Sequence, residues 1–500
     1  MPDEAMPDSV KDRIILAIDQ GTTSTRSMSF GTDGVPRHTV RREFAQYYPH
    51  PGWVEHDPED IWRDTLATLT GAADADGGAV AAIGITNQRE TVVVWDRATS
   101  EPVHNAIVWQ DRRTAAYCAQ LKQDGCEPLV RARTGLLLDP YFSATKLRWI
   151  LDNIAGVRAR ANRGELAFGT IDSFLLWRLT GVHATDATNA SRTLLYDIHK
   201  GQWDDDLLRL FGIPASLLPE VRDNSAMFGE TRLLGRAIAI GGMVGDQQAA
   251  AIGQACFSLG DVKATYGTGG FVLLNTGDAA VLSEHGLLTT IAYRLGGRTT
   301  FALEGSIFVA GAAVKWLRDG LGLIAHAADT EPLATRLDDN HGVYMVPAFV
   351  GLGAPHWDAA ARATISGLTF DATGAHITRA ALEAVAYQTA DLIAAMTADG
   401  ARDPRQVRID GGMAANDWLC QFLADMLDTE VARPANVETT AAGAAFLAGL
   451  TAGIWSGAED IAATWRAERT FRPQMTGSAR ADLLAGWQQA VARTRSTPAR

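Results

Sequence analysis

Cysteine is scarce in this sequence: four in 500 residues, at Cys118, Cys126, Cys256 and Cys420, with no CxxC pair among them. That excludes a disulfide framework and a cysteine-based metal motif, and leaves buried reduced thiols as the expectation. Lysine is scarce as well, six of the 45 basic residues, a compositional bias from which no function follows. Basic residues as a class are outnumbered by 58 acidic ones, and a net charge of −13 argues against a general affinity for nucleic acid or an anionic membrane. An anionic ligand would need a local site. Long apolar runs are missing too. The one long uncharged stretch, Thr439 to Ala458, is built mainly from Ala, Gly and Thr, which suits a buried packing helix and not a membrane span. The start, MPDEAMPDSVKDR, is acidic and has no apolar core, so neither a signal nor a transit peptide is expected and the chain reads as cytoplasmic.

What is present is the balance of a globular protein: 47% hydrophobic, 21% charged, 48 Gly and 18 Pro. Single cores stop growing at roughly 250–300 residues, so two domains are expected. Beyond residues 1–12, expected to be mobile, IILAIDQGTTSTRSMSFG reads as strand, tight Gly/Thr loop, strand. Further strands are predicted over 81–86 and 91–95, with a helix over 57–69 that Asp57 caps and Pro58 starts. The pattern loosens over 229–240, and a helix is predicted to begin near Asp246. At 262–274 the string VKATYGTGGFVLL repeats the strand, Gly/Thr turn, strand logic of the start. Two such hairpins suggest a duplicated α/β architecture with a hinge near 245–260. Strands over 343–350 and 407–412, helices over 380–396 and 417–427, and a terminal helix with a short basic tail complete the prediction.

Four constellations could carry chemistry. In Asp19-Gln20-Gly21-Thr22-Thr23-Ser24-Thr25-Arg26, small residues admit a ligand close to the backbone, N–H groups and hydroxyls can cradle phosphate, and a strand-end Asp can hold Mg²⁺ through water. An ordinary hairpin is the plainer reading. Neither a P-loop nor a GxGxxG loop is present there. The turn Thr265-Tyr266-Gly267-Thr268-Gly269-Gly270 offers the same donors from the second half, and the pair is stronger than either turn alone. Asp246, in Gly245-Asp246-Gln247-Gln248, could cap a helix or could orient and deprotonate an alcohol during phosphoryl transfer. Asn87-Gln88-Arg89-Glu90 is either a surface turn or a set of donors and acceptors suited to a polyol. Trp109 and Tyr141, each with polar neighbours, read as core aromatics when taken separately. Arg408 to Asn416 carries Asp410-Gly411-Gly412, a strand-to-helix turn against which a flat ring such as adenine could slide.

Together these segments resemble the FGGY carbohydrate kinases, and among them the branch that phosphorylates glycerol, over about residues 14 to 472. The strings that carry the resemblance are DQGTTSTR (19–26), PGWVEHDPEDIW (51–62), ITNQRET (85–91), IVWQDRRT (107–114), DPYFSATK (139–146), GDQQAA (245–250), TYGTGGF (265–271), ALEGSIFVAGAAVKWLRD (302–319) and DGGMAAN (410–416). The resemblance implies two actin-like, RNase H-like ATPase domains closing on ATP and glycerol in the cleft between them. It implies a first domain over 13–255 for glycerol and phosphate, a second over 256–475 for nucleotide, and a C-terminal helix and tail over 476–500. It further implies that Arg89, Glu90, Tyr141, Asp246 and Gln247 hold glycerol, with Trp109 and Phe271 against its carbons and Asp246 as general base. Thr22, Thr23, Ser24, Arg26, Gly267 and Thr268 would meet phosphates, Gly311, Gly412 and Asn416 would line the adenosine region, and Asp19 would help hold Mg²⁺. A homodimer or homotetramer is the usual assembly among similar proteins.

Two departures from the family pattern stand out. Lys315 occupies a nucleotide-side position where many members carry Gln; a cation there could meet phosphate or ribose. The stretch Gly229 to Arg236 is shorter than the Gly-rich loop with which regulated members bind a sugar bisphosphate, so weak or absent inhibition by fructose 1,6-bisphosphate is expected. Two other readings remain at this level: a kinase for another small polyol or sugar, such as erythritol or a ketopentose, and an actin-like ATPase with no small-molecule kinase activity.

Overall fold

The computed structural model describes residues 13–496; the expected mobile segment 1–12 and the last four residues lie outside the described residues. Two mixed sheets dominate. The first contains β1 (Arg13–Gln20), β2 (Ser24–Gly31), β3 (Pro36–Glu43), β4 (Ala79–Asn87) and β5 (Ile238–Gly245). The second contains β6 (Val262–Tyr266), β7 (Gly270–Gly277), β8 (Arg298–Ile307), β9 (Gln406–Asp410) and β10 (Glu430–Pro434). Both have the same wiring. The first three strands of each run antiparallel, in the order third, second, first, and the fourth and fifth add in parallel beyond the first. The duplication predicted from the two hairpins is therefore a duplication of whole sheets.

Parallel strands buried on both faces demand near-continuous apolar sequence, and β1 supplies it, buried from Ile14 to Gln20. The helix α1 (Pro58–Asp76) starts where predicted, with the Asp57 side chain accepting from Glu59 N, and runs on to a left-handed Gly77. The strand predicted over 91–95 is Val93–Asp96, and it pairs with Leu166–Gly169 outside the main sheet. The loose region over 229–240 holds the end of an edge strand, Ser225–Thr231, that pairs antiparallel with β5. Only Tyr344–Val346 of the segment 343–350 is a strand.

The segment expected to act as a hinge begins with a packed helix, α2 (Asp246–Gly253). The later helices of interest are α3 (Gly311–Asp319), α4 (Gly374–Ala398) and α5 (Thr439–Thr451). Helices α2 and α5 each follow the fifth strand of a sheet, and they cross at contact distance. A Cβ on Gly253 would collide with Thr439 O, and one on Gly443 with Ala249 O, so glycine at each position permits the approach. Although α5 comes late in the chain, Ala441, Ala444, Leu447 and Ala448 share a core with Ile15, Ala17, Ala82 and Val244 of the first sheet. A division at 255/256 therefore separates the sequence more cleanly than the packing. The uncharged run from Thr439 is the buried packing helix expected, and among the described residues no helix is long and apolar enough to cross a membrane. Cys118, Cys256 and Cys420 are buried free thiols, and Cys126 is half-buried.

Candidate active site

In each sheet the parallel strands end together, the place where α/β sheets bind ligands. Register puts Asp19 beside Thr86 and Thr86 beside Val244, so the ends of β1, β4 and β5 stand in line and Asp246 opens α2 directly above them. In the second sheet Thr265 lies beside Asp410.

The turn after β4 carries Arg89 and Glu90, with Glu90 at φ 61 in the left-handed region, a strained position for a non-glycine residue. Both side chains are buried, 2% and 1% exposed. Arg89 donates from Nη1 to Glu304 Oε2 at 2.6 Å and from Nη2 to Glu304 Oε1 at 3.1 Å, while its Nε lies 3.2 Å from Asp246 Oδ1. Arg192 donates from Nε to Glu90 Oε1 at 2.6 Å and from Nη2 to Glu304 Oε1 at 2.9 Å. Burial alone would raise the Glu304 carboxyl, but the Arg192 and Arg89 guanidiniums outweigh it and hold the group down at about 2.

Asp246 behaves differently. Burial pushes its carboxyl up to about 6 against the pull of Arg89, and 29% of its side chain remains open to solvent. Gly245 is the helix cap residue, and Asp246 Oδ1 accepts from Gln247 N at 2.7 Å. The peptide before it is pinned by Gly245 N donating to Thr188 Oγ1 at 2.9 Å. A carboxylate that is fixed, partly open and matched to near-neutral pH can take a proton from an alcohol.

The two aromatics read singly as core fillers meet at the site. Trp109 and Tyr141 lie edge to face with ring centroids 5.6 Å apart, and Trp109 Nε1 donates to Thr22 Oγ1 at 3.0 Å. The Tyr141 segment is held by Lys146, buried, whose Nζ donates to the carbonyls of Pro140, Tyr141 and Phe142 at 3.0, 2.5 and 2.9 Å. Gln247 Oε1 accepts from Lys263 Nζ at 2.6 Å. Phe271 is half-buried opposite Thr265 and, like Thr22 to Ser24, lines neither of the cavities described next.

On the other side, a cavity of about 500 Å³ is lined by Gly267, Thr268, Gly311, Lys315, Gly412 and Asn416. These are six of the residues predicted for nucleotide. A Cβ placed on Gly267 or Gly412 would meet nothing within 4 Å, so neither glycine is required by protein packing there. Gly411, at φ 87, is required, since a Cβ would strike Tyr266 O. Asn416 also caps the next helix, accepting from Leu419 N at 2.9 Å. An adjoining cavity of about 650 Å³ is lined by Arg26, Thr265, Asp410, Gly411 and Thr439.

Thr22, Thr23 and Ser24 form the first tight turn, closed by Gly21 N donating to Ser24 O at 2.9 Å, but they do not line either cavity. Arg26 is engaged with Asp19 and donates to Glu438 Oε2 at 2.8 Å. Among the described residues no group of three or more His, Cys, Asp or Glu could hold a metal by itself. Mg²⁺ is commonly held by one or two carboxylates together with phosphate and water, and Asp19 is a strand-end carboxylate beside the Arg26-lined cavity that could serve.

A model of the FGGY family of carbohydrate kinases, N-terminal domain, matches residues 14–253, and its C-terminal counterpart matches 262–452. The chain belongs to the FGGY family of carbohydrate kinases. A glycerol kinase of Gluconobacter oxydans (strain 621H) is 62% identical over 490 residues, 97% of this chain and 96% of that protein. One from Rhodospirillum centenum (strain ATCC 51521 / SW) is 62% identical over 489 residues, 96% of this chain and 98% of that protein. The crystal structure of Plasmodium falciparum glycerol kinase with ADP superposes with a TM-score of 0.92 at 37% identity, covering 96% of this chain and 98% of that one. The two-domain fold expected of an FGGY kinase is thus borne out. Sequence reasoning assigned no role to Arg192, Lys263 or Glu304 of this FGGY kinase. For Lys263 and Glu304 the available signal was a charged residue inside a largely apolar strand, VKATY and FALEGSI; Arg192 carried none.

Proposed function

We propose that this chain transfers the γ-phosphoryl group of Mg-ATP to a primary hydroxyl of glycerol, giving sn-glycerol 3-phosphate and ADP. The observation that carries the reading is Asp246: a carboxyl fixed at the start of α2, beside Arg89, with its pKa pushed up to about 6. The identity to glycerol kinases over nearly the whole chain supports glycerol as the acceptor.

In this reading Arg89 and Glu90 present a donor and an acceptor to neighbouring hydroxyls, and Gln247 and Tyr141 add further polar contacts. Trp109 and Phe271 cover the carbon chain. Asp246 aims one hydroxyl in line and takes its proton as the oxygen–phosphorus bond forms. The backbone turns at Gly21–Ser24 and Gly267–Gly269 and the Arg26 guanidinium meet the phosphates, and Gly311, Gly412, Asn416 and Lys315 surround the nucleoside. Asp19 would hold Mg²⁺, which neutralises the charge on the phosphates when bound.

The deciding experiment is ADP release measured with and without glycerol, then across a panel of polyols and ketopentoses. Release that requires glycerol is expected. A higher kcat/KM for a pentulose would make this a kinase for another sugar, and release indifferent to any polyol would make it an actin-like ATPase.

A further inference from the structure

Two charged side chains of the second sheet reach into the acceptor side of the cleft. Lys263 on β6 lies opposite Leu273 on β7, and Leu273 lies opposite Glu304 on β8. Residues in one row across a sheet share a face, so Lys263 and Glu304 project the same way, two strands apart. Both are 0% exposed. A charge taken fully out of water needs compensation, and here much of it comes from the first half of the chain.

Glu304 receives three hydrogen bonds from guanidiniums, two from Arg89 and one from Arg192. This engages one N–H on each terminal nitrogen of Arg89, the second on Nη1 goes to Gln248 Oε1 at 3.2 Å, and Nε is left toward Asp246. Lys263 donates to Gln247 Oε1, and an ammonium can only donate, so the Gln247 carbonyl faces Lys263 and its NH₂ is left free to donate elsewhere. The second sheet thereby fixes which atoms Arg89 and Gln247 can offer to a ligand.

We propose that Lys263 and Glu304 are positioning residues through which the second half sets the acceptor pocket, so that acceptor affinity depends on the two halves standing together. A displacement of either sheet breaks the Lys263–Gln247 and Glu304–Arg89 bonds, and the pocket loses its donor pattern. The inference rests on glycerol as the acceptor.

The test compares wild type with Lys263→Met and Glu304→Gln, varying glycerol and ATP separately, with ADP binding by calorimetry and thermal melts alongside. The expected result is a rise in KM for glycerol of about tenfold or more, with KM for ATP and Kd for ADP within about twofold. Lower melting temperatures with both KM values unchanged, or raised in parallel, would overturn it. Should Glu304→Gln fail to fold, Lys263→Met decides by the same split. Wild type that turns over only with another polyol would sink the glycerol reading instead, and the split is then read with that polyol.

Discussion

The two sides of the cleft are built on opposite plans. On the proposed acceptor side Arg89, Glu90, Arg192 and Glu304 are at most 2% exposed and pair with one another before any ligand arrives, with Arg192 Nη1 left without a partner. On the proposed nucleotide side stand open cavities bordered by glycines, with Lys315 exposed at the edge. The difference follows from what each ligand brings. A small neutral polyol has few groups with which to organise a site, so donors and acceptors fixed in advance spare the cost of ordering them. A nucleotide carries its own charge and bulk, and it needs room and backbone N–H groups more than preformed ion pairs.

The largest effect should come from the acceptor side. Asp246→Asn keeps the shape but removes the proton acceptor, and kcat should fall by roughly 10²–10⁴ while ADP binding persists. Near-normal turnover would remove Asp246 as the base and, with it, the contrast between the two sides.

Next come the glycines of the nucleotide side. Gly412→Val and Gly267→Val grow from a Cβ that has no non-neighbouring protein atom within 4 Å, and fill the cavity beyond it. Raised KM for ATP, about tenfold or more by loss of ground-state binding, is expected with an unchanged melting temperature. Gly411→Ala should do the reverse: at φ 87 and against Tyr266 O it should lower stability by about 1–3 kcal/mol. If the valine variants melt early, the cavity glycines serve packing and the contrast fails.

A gentler probe is pH. Asp246 must be ionised to accept a proton, and its pKa is raised to about 6, so activity is present above that value and lost as pH falls through it. The kcat/KM for glycerol should halve near pH 6 and then drop about tenfold per pH unit. An acid limb near 4, the ordinary carboxylate range, would mean that burial does not govern this group.

Which parts were legible in the sequence follows from the same contrast. Gly/Thr hairpins, the Asp at a helix start and the DGG turn are local signals, and all three lie where expected, at the ends of β1, β5 and β9. The ion-pair cluster was half visible. Arg89 and Glu90 are neighbours in a polar tetrapeptide, but Glu304 is 215 residues from Arg89, and nothing in FALEGSI says what its carboxylate meets. Likewise the composition of α5 foretold burial, yet not that it would lie on the first sheet, because an Ala/Gly surface fits many partners.

The smallest expected effect concerns an ion pair that borders the proposed nucleotide side. Arg26 joins Asp19 of its own sheet to Glu438, just before α5, and the Arg26 and Glu438 side chains are 31% and 35% exposed. A pair that open to water contributes at most about 1 kcal/mol, so Glu438→Gln should leave the melting temperature nearly unchanged. Its consequence should appear in binding. Arg26 cannot hold Glu438 and a phosphate with the same donors, so releasing it should lower KM for ATP by about twofold, more at low salt than at high. A rise in KM for ATP would mean that Glu438 helps to hold the nucleotide, and the open side of the cleft would then be preorganised after all.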